Sequence, residues 1–538
     1  MTDGTDLTQT VTGSDRSGSP GSPLPSASGD PAYPFSHRQI QVVLIGLMAG
    51  SFLAALDQTI VATALPRIVG DFGGVDQMAW IASVYLLTST AAMPIIGKLS
   101  DLYGRRALFQ ASIVVFVLGS VFAGVSQSMG QLIASRAVQG FGAGGLVVLN
   151  FGVLADLIPP RERGKYQGYV ASVWAVASVI GPVVGGFFVD NLSWRWIFFV
   201  NVPIGIGALV ITSIAMKLPR RPRVEVPIDY LGAALLVGAI VCLLLVTEWG
   251  GDRYPWVSPE IGGLLGAGVV LGVLLVVVER RVPDPVIPPR LFSLRVVRIS
   301  ATAITVFGLL MFGTILFVPV YFQIVRGNTA TNAGFLLLPQ MIGILTGTMG
   351  AGRLTTRTGR YKVFPVVGLS LIATAYFTLS RITPSTSVWV AVGCMVIVGA
   401  GIGMTTPAIM LATQNAVPLQ DVGAATSMLT TVRSMGAAVG AATFGAVLTN
   451  RLTAELAANL GPLARGIDPA LLRGSPEQIA TLSPRVQAGV VESFGGALST
   501  VFLAGVPIAI VALVVVLFLP ELPLRTRFEI VDAEPPGL

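Results

Sequence analysis

Residues 39–62 read QIQVVLIGLMAGSFLAALDQTIVA, an apolar run in which Asp57 is the one charged side chain. About 20 apolar residues in a helix are enough to cross the roughly 30 Å hydrocarbon core of a bilayer. Thirteen further runs of this kind follow, near residues 79–99, 107–126, 131–155, 167–189, 197–217, 229–248, 260–279, 299–323, 333–354, 363–381, 387–411, 421–449 and 498–519. We therefore predict an all-α, polytopic membrane protein with 14 transmembrane helices.

The composition agrees with a chain that lies mostly in lipid. Of the 538 residues, 53% are apolar and 11% are charged, whereas a soluble domain carries about 25% charged residues. The net charge of +7 comes from short basic clusters between apolar runs, without interleaved aromatic residues, so we expect no nucleic-acid partner. Cys242 and Cys394 both fall inside apolar runs, so we expect neither a disulfide framework nor a metal site.

The distribution of basic residues predicts the orientation in the membrane. With the N-terminus placed inside, the short inner loops contain nineteen Lys and Arg residues, and the short outer loops contain five. Loops that stay in the cytoplasm carry such an excess of positive charge. We expect a multi-pass protein of the cytoplasmic cell membrane with both termini in the cytoplasm.

The spans and the polar segments divide the chain into five parts. Residues 1–36 are rich in Ser, Gly, Pro and Thr and lack apolar periodicity, which predicts a disordered cytoplasmic tail. The other predicted parts are an N-terminal six-helix bundle at 37–217, two extra transmembrane helices with linkers at 218–298, a C-terminal six-helix bundle at 299–520 with an outer loop at 450–497, and a cytoplasmic tail at 521–538.

A weak internal repeat indicates that the two six-helix bundles are pseudo-symmetric. Residues 97–106 (GKLSDLYGRR) and 352–360 (GRLTTRTGR) each place two glycines seven residues apart, followed by arginine, in an inner loop. Secondary transporters are commonly built from internal repeats of this kind. The repeat therefore favours a transporter with two similar halves.

The first copy of the repeat also suggests a contact that controls access from the cytoplasm. Its glycines permit close helix packing and a tight turn, and its carboxylate can accept hydrogen bonds from arginine or from a neighbouring helix N-terminus. The predicted cytoplasmic gate consists of Gly97, Asp101, Gly104, Arg105, Arg106 and, from the inner end of the fourth span, Asp156. In the alternative interpretation these charges only set the membrane topology.

Asp57 is the strongest candidate for a functional side chain. It lies about 18 residues into the first span, where a carboxylate costs at least about 2–3 kcal/mol unless it is paired or protonated. Arg136 of the fourth span lies at a similar depth. We predict that Asp57 binds and releases the coupling proton and that Arg136 tunes its charge state. The alternative is a structural ion pair that holds the two spans together.

Other polar residues in the spans leave two interpretations open. Glu248 ends the seventh span and is either a solvated acid at the outer surface or a second coupling or cation-binding site. Arg433 lies near the midplane of the thirteenth span, where it either reaches backbone carbonyls at a helix break or lines a cavity. Four residues are candidates either for cavity contacts or for helix packing: Gln323, Gln340, Asn150 and Trp174.

Glycine and proline within the fifth span predict an irregular, closely packed helix. Proline removes a backbone donor, so Gly181-Pro182 is expected to kink or locally break the helix. Gly185 and Gly186 then permit tight packing against a neighbouring helix.

Several of these stretches together match one known family. Residues 97–106 resemble the loop signature of the major facilitator superfamily. Four further stretches resemble motifs of that superfamily and of its fourteen-span drug:proton antiporter branch, the QacA/EmrB-like proteins: LDQTIVATALP at 56–66, RAVQG at 136–140, GPVVGG at 181–186 and WRWIFFVNVPIG at 194–205. The chain departs from these motifs at Ala62 and Ala177, and Thr356 replaces the acid in the second loop copy, which predicts a weaker inner lock there.

The resemblance implies a secondary transporter that rocks two six-helix bundles around a central cavity, with two extra helices between them. It also implies that the loop network latches the outward-open state and that the Gly-Pro motif is associated with exchange. We expect a monomeric, cofactor-free, proton-coupled exporter of lipophilic small molecules or drugs, and with it antibiotic resistance. The scarcity of acids in the spans favours neutral or monocationic substrates.

Two other functions are compatible with the same fold. One is a dedicated exporter of an endogenous lipid, siderophore or antibiotic, and the other is a membrane sensor that does not transport. The sequence contains no HExxH, GxSxG or GxxxxGK[ST] pattern, which argues against a membrane enzyme and against ATP as the energy source. An ion gradient must then supply the energy.

Overall fold

The computed structural model describes residues 37–72, 77–216, 229–251, 253–283, 285–328, 335–383, 386–418, 421–461 and 483–524. The predicted tail at 1–36, residues 525–538 of the other predicted tail and residues 462–482 of the predicted outer loop lie outside this part of the chain.

The described chain is helical almost throughout. Its helices are α1 (His37–Phe72), α2 (Met78–Tyr103), α3 (Arg105–Val125), α4 (Met129–Leu157), α5 (Pro160–Asn191), α6 (Trp196–Phe199), α7 (Asn201–Ala215), α8 (Tyr230–Trp249), α9 (Pro259–Glu279), α10 (Arg295–Val320), α11 (Leu338–Thr358), α12 (Val363–Leu379), α13 (Val388–Ala416), α14 (Val422–Leu460) and α15 (Pro484–Leu517). A π-helical turn, Tyr321–Val325, continues α10. The prediction of an all-α fold is confirmed.

Fewer helices meet the length and hydropathy of a membrane span than the sequence predicts. Within the described residues, 12 helices are long and apolar enough to cross a membrane. The helix α12 is apolar but has 17 residues, and α11 has several Thr, Gly and Arg residues that lower its hydropathy. Both lie at positions where the sequence predicts spans. The count of fourteen membrane crossings therefore stays a prediction.

The segment at 450–497, which the sequence predicts as an outer loop, is helical at both ends, because both flanking helices extend into it. The helix α14 continues to Leu460, and α15 already begins at Pro484. Leucines four residues apart in the extension of α14 pack against the start of α15: Leu448, Leu452, Leu456 and Leu460 share one core with Val490 and Phe494. This apolar stripe keeps the polar extension helical by tertiary packing.

The helices form two packed halves and an additional pair. In the first half, α1 packs on α5 and α7, and α4 packs on α2 and α3; in the second, α10 packs on α14, and α13 packs on α11 and α12. The halves meet where α5 contacts α11 and where α2 contacts α14. The additional pair, α8 and α9, pack on each other, and α8 also contacts α2 and α14. The candidate site lies inside the first half.

The second glycine of each loop copy has a positive φ, although the two turns differ in ψ. Gly104 has φ +92° between α2 and α3, and Gly359 has φ +72° after α11. This left-handed region is readily accessible to glycine and costly for other residues. The repeat seen in the sequence therefore has a structural counterpart in each half.

Candidate functional site

Asp57 and Arg136 form a buried ion pair inside the first half. Arg136 Nη1 lies 2.5 Å from Asp57 Oδ2, and the exposed fractions are 0% for Asp57 and 2% for Arg136. Pairing and hydrogen bonding are what make a charge tolerable away from water. The two side chains, which the sequence places at a similar depth in their spans, are therefore in direct contact.

Two amides complete the environment of the Asp57 carboxylate. Gln139 Nε2 donates to Asp57 Oδ1 at 2.7 Å, and Asn201 Nδ2 donates to the same oxygen at 3.1 Å. Both amides also donate to Ser120 Oγ, at 3.2 and 3.0 Å. Gln139 Oε1 accepts from Arg136 Nη1 at 2.6 Å, so this amide bridges the cation and the carboxylate. Residues of α1, α4 and α7 thus meet at one carboxylate, and Ser120 of α3 contacts both of the amides.

The sequence interpretation missed Gln139 and Asn201 as site residues. Gln139 lies one turn after Arg136 in RAVQG, and Asn201 lies at the start of α7, after a break that separates it from α6. An amide inside an apolar run is the signal that both share. That signal is weak, because amides inside membrane helices commonly serve helix packing.

Contacts with two residues of α2 also fix the position of Arg136. Its Nε donates to the Ile81 carbonyl at 3.2 Å, and its guanidinium lies 4.2 Å from the ring centroid of Tyr85. A Cβ on Gly140, one turn further along α4, would overlap the Tyr85 carbonyl oxygen. Glycine at this position therefore brings α4 close enough to α2 for Arg136 to reach the Ile81 carbonyl.

A second ionic cluster lies where α2, α3 and α4 end or begin. Arg105 contacts both carboxylates, Asp101 Oδ1 at 2.9 Å and Asp156 Oδ2 at 2.9 Å, and its Nη1 donates to Ser100 Oγ at 2.8 Å. Arg105 is 4% exposed. We call this end of the molecule the Arg105 end. Arg106 points elsewhere and donates to the Ser213 carbonyl of α7 at 2.8 Å.

The two halves touch at the Arg105 end. A Cβ on Gly97 of α2 would overlap the Ser427 side chain of α14, and one on Gly423 would overlap the Asp101 carboxylate. The Asp101 carboxylate therefore lies beside the first turn of α14, where the helix dipole favours a negative charge. This geometry keeps the halves in contact at the Arg105 end.

Of the two α5 glycines that were predicted to pack closely, Gly185 does so and Gly186 does not, and Gly181 is a further point of close contact. A Cβ on Gly181 or Gly185 would overlap the hydroxyl of Thr59 or Thr63 on α1, whereas Gly186 has open space. The helix α5 runs through Pro182 without interruption. A local break at Gly181-Pro182, one of the two expected outcomes, is therefore wrong, because the close contact with α1 supports the helix there.

The three remaining candidates of the first half and of α8 make no hydrogen bond to Asp57 within the described residues. Glu248 of α8 is half-buried and accepts from Ser83 Oγ of α2 at 2.5 Å, so it ties the additional pair to the first half. Asn150 is buried and donates to Ser51 Oγ of α1. Trp174 packs beside Leu56.

The candidates of the second half are spread over three helices. Gln340 is buried in α11, and its Nε2 donates to Thr314 Oγ1 of α10 at 3.0 Å. Gln323 is half-buried in the π-helical turn. Arg433 of α14 is half-buried and reaches Met311 Sδ at 3.8 Å from Nη1. The helix α14 is continuous at Arg433, so a helix break that offers carbonyls to this arginine is absent.

A bundle of twelve or more apolar helices that are long enough to cross a bilayer defines a polytopic membrane protein. The Major Facilitator Superfamily profile matches residues 47–229 and 230–441, so the chain belongs to this superfamily. This confirms the superfamily that the sequence motifs indicated, while the fourteen-span branch stays a prediction. The protein is a transporter and not an enzyme.

Relatives with similar sequence carry transporter names. An uncharacterised MFS-type transporter of Mycobacterium tuberculosis is 39% identical over 90% of this chain and 70% of its own length. Multidrug resistance protein 3 of Bacillus subtilis is 34% identical over 90% of this chain and 96% of its own length.

The fold also matches a solved transporter structure. The proton:xylose symporter XylE superposes with a TM-score of 0.59, at 14% identity, over 90% of this chain and 97% of that chain. At this identity the likeness concerns the fold alone.

Proposed function

We propose that this protein is a proton-coupled exporter of lipophilic small molecules that works by alternating access. The observation that carries the proposal is the fully buried Asp57 carboxylate, paired with Arg136 and hydrogen-bonded by two amides. Ionisable groups inside membrane spans commonly mark ion or proton pathways. The drug-efflux part of the proposal draws on the name of the Bacillus subtilis relative.

The hydrogen bonds around Asp57 suggest how this carboxylate can be protonated at a small cost in free energy. A proton on Asp57 removes the negative charge that holds Arg136, and an unpartnered buried guanidinium would be strongly destabilising. Gln139 Oε1 already accepts from Arg136 Nη1, so the cation keeps a partner. Protonation then loosens α1 from α4 and α7, which is the kind of local change that alternating access requires.

The contact at the Arg105 end supplies the other element of the proposal. Asp101 beside the first turn of α14 holds the two halves together on that side, which we take to be the cytoplasmic side. In the proposed cycle this contact breaks when the cavity opens to the cytoplasm to load substrate, and it forms again as substrate leaves on the other side.

The test measures gradient-driven and gradient-free flux in proteoliposomes. One cationic and one anionic lipophilic dye are followed under an imposed pH gradient, and dye-for-dye exchange is measured without a gradient. The variant Asp57→Asn keeps the shape of the side chain and removes the titrating group. The matched control is Asp190→Asn, because Asp190 is an exposed carboxylate of α5.

We expect Asp57→Asn to lose the gradient-driven flux and to retain exchange, with both activities kept in Asp190→Asn. Full gradient-driven flux in Asp57→Asn would overturn the coupling role of this carboxylate and make Glu248 the next candidate. If the wild-type protein moves neither dye, the broad drug-export proposal fails. A dedicated exporter of an endogenous product would then be the better reading.

A further inference from the structure

Arg433 has no acidic partner within the described part of the chain. The described ion pairs join other residues, and Arg433 Nη1 has the Met311 sulfur as its neighbour at 3.8 Å. Its Nε is buried without a hydrogen-bond acceptor. A guanidinium carries five N–H donors, and a thioether sulfur is a weak acceptor.

Three buried arginines differ from Arg433, because the guanidinium of each has strong hydrogen-bond acceptors. Arg136 and Arg105 each contact carboxylates, and Arg163 donates to two backbone carbonyls and to Gln414. An unpaired charge near the centre of the bilayer is destabilising. A side chain that serves stability would not be left in this state.

The depth and the partial exposure of Arg433 favour a side chain that lines a cavity over one that is enclosed in a packed core. Arg433 lies about three turns into α14, and its backbone packs tightly on α10, since a Cβ on Gly308 would overlap the Arg433 carbonyl oxygen. The side chain nevertheless stays partly exposed. Charged side chains in membrane spans face the bundle interior or a water-filled cavity and avoid lipid.

We propose that Arg433 binds the oxyanion group of a lipophilic substrate, so that the preferred cargo is an amphiphile with one carboxylate, sulfonate or phosphate group. The inference rests on the proposed export function and adds the charge of the substrate. Asp57 is already paired with Arg136 and so is not available to a cationic substrate, whereas Arg433 offers unpaired donors to an anion. The structure thus points away from the neutral or monocationic substrates that the scarcity of acids suggested.

The test is a binding measurement that does not depend on transport. Wild-type protein in lipid nanodiscs is dialysed to equilibrium against three fluorescent probes that share one ring system: naphthalene-2-sulfonate, naphthalene-2-sulfonamide and 2-naphthyl-trimethylammonium. Empty nanodiscs correct for partition into lipid. The variants are Arg433→Gln, Arg433→Lys and the control Arg381→Gln, because Arg381 is an exposed arginine of the same half.

We expect wild type to prefer the sulfonate and Arg433→Gln to bind it about tenfold more weakly, because the variant loses hydrogen bonds from a charged donor. Arg433→Lys should retain part of the affinity, and Arg381→Gln all of it. Sulfonamide binding should be similar in all four proteins. Because Arg433→Gln removes an unpaired, half-buried charge, its thermal midpoint should match or exceed that of wild type.

Equal sulfonate affinity in wild type and Arg433→Gln would overturn the inference, and so would stronger binding of the ammonium probe than of the sulfonate. A fall in the thermal midpoint of Arg433→Gln, with weaker binding of all three probes, would assign this arginine a structural role. The proposed export function fails separately, if the wild-type protein moves neither dye in proteoliposomes, and Arg433-dependent binding of the sulfonate would still stand in that case.

Discussion

Arg163 and Gln414 join the two halves of the protein through a buried hydrogen bond, with Arg163 Nη1 lying 3.1 Å from Gln414 Oε1. Arg163 is in the first turn of α5 and also donates to the carbonyls of Ala155 and Ile158, at 2.6 and 2.8 Å. Gln414, near the end of α13, donates in turn to Thr426 Oγ1 at 3.1 Å. The arginine is therefore fixed within its own half, and Gln414 is the partner that the other half supplies.

Replacement of Gln414 by alanine should favour separation of the halves at the Arg105 end. The variant removes a hydrogen bond to a charged donor, worth about 1.5–3 kcal/mol, which corresponds to a shift of about tenfold or more in the equilibrium between closed and open states. Spin labels at Tyr103 and Thr358, both exposed, report the distance between the halves. We expect Gln414→Ala to increase the long-distance population.

The control for this measurement is Gln110→Ala. Gln110 donates to Ser213 Oγ at 3.0 Å within the first half, so its loss should leave the label distances unchanged. Cys242 and Cys394 are replaced by serine in every sample. An identical distance distribution in Gln414→Ala and wild type would show that this bond does not hold the halves together.

Gly140→Ala should destabilise the protein by moving α4 away from α2. The added methyl would overlap backbone at the Tyr85 carbonyl, where little relaxation is available, and overpacking of this kind costs about 1–3 kcal/mol. Gly130→Ala is the matched control on the same helix, because a Cβ there meets open space. We expect a lower thermal midpoint for Gly140→Ala and an unchanged or higher one for Gly130→Ala. A reversed order would refute the packing argument.

The candidate site was predictable from the sequence where it depends on charge. Asp57 and Arg136 stand out because charge is costly in an apolar span, and their matched depths are consistent with the ion pair in the structure, although depth alone does not establish a contact. Asp101, Arg105 and Asp156 were grouped correctly because their positions in the sequence place all three at the same end of their helices.

The parts that the sequence did not reveal depend on tertiary contacts. Gln139 and Asn201 are neutral amides, and hydropathy alone does not distinguish an amide that binds a carboxylate from one that packs against a helix. The bond between Arg163 and Gln414 joins helices that are far apart in the chain. The extension of α14 to Leu460 was missed because its helical state depends on packing against α15.

Asn201→Ala should weaken both the site and the fold. Asn201 Nδ2 donates to Asp57 and to Ser120, and the bond to the charged Asp57 contributes about 1.5–3 kcal/mol. We expect a lower thermal midpoint and slower gradient-driven flux. The control is Asn191→Ala at the exposed end of α5, where the side chain bonds its own helix at Phe187. Wild-type flux and stability in Asn201→Ala would show that this amide contributes nothing to the site.

Tyr361 anchors the chain that follows α15. Its hydroxyl donates to the Pro520 carbonyl at 3.0 Å and accepts from the Leu522 backbone N–H at 2.8 Å. Burial raises the pKa of Tyr361 above its ordinary value of 10.0; the hydrogen bond from Leu522 opposes this rise and the nearby Glu521 carboxylate adds to it. The folded state therefore favours the neutral phenol.

Tyr361→Phe should lower the thermal midpoint at pH 8 and lower it less at pH 11. At pH 8 the variant loses two hydrogen bonds, each worth about 0.5–1.5 kcal/mol. A raised pKa in the folded state means that this contribution is complete below about pH 10 and is lost as pH rises beyond it, because the unfolded chain ionises first. Thermal unfolding at both pH values measures the gap between wild type and variant, with Tyr230→Phe as the control at an exposed tyrosine. A gap that stays constant or widens at pH 11 would contradict the link between Tyr361 ionisation and stability.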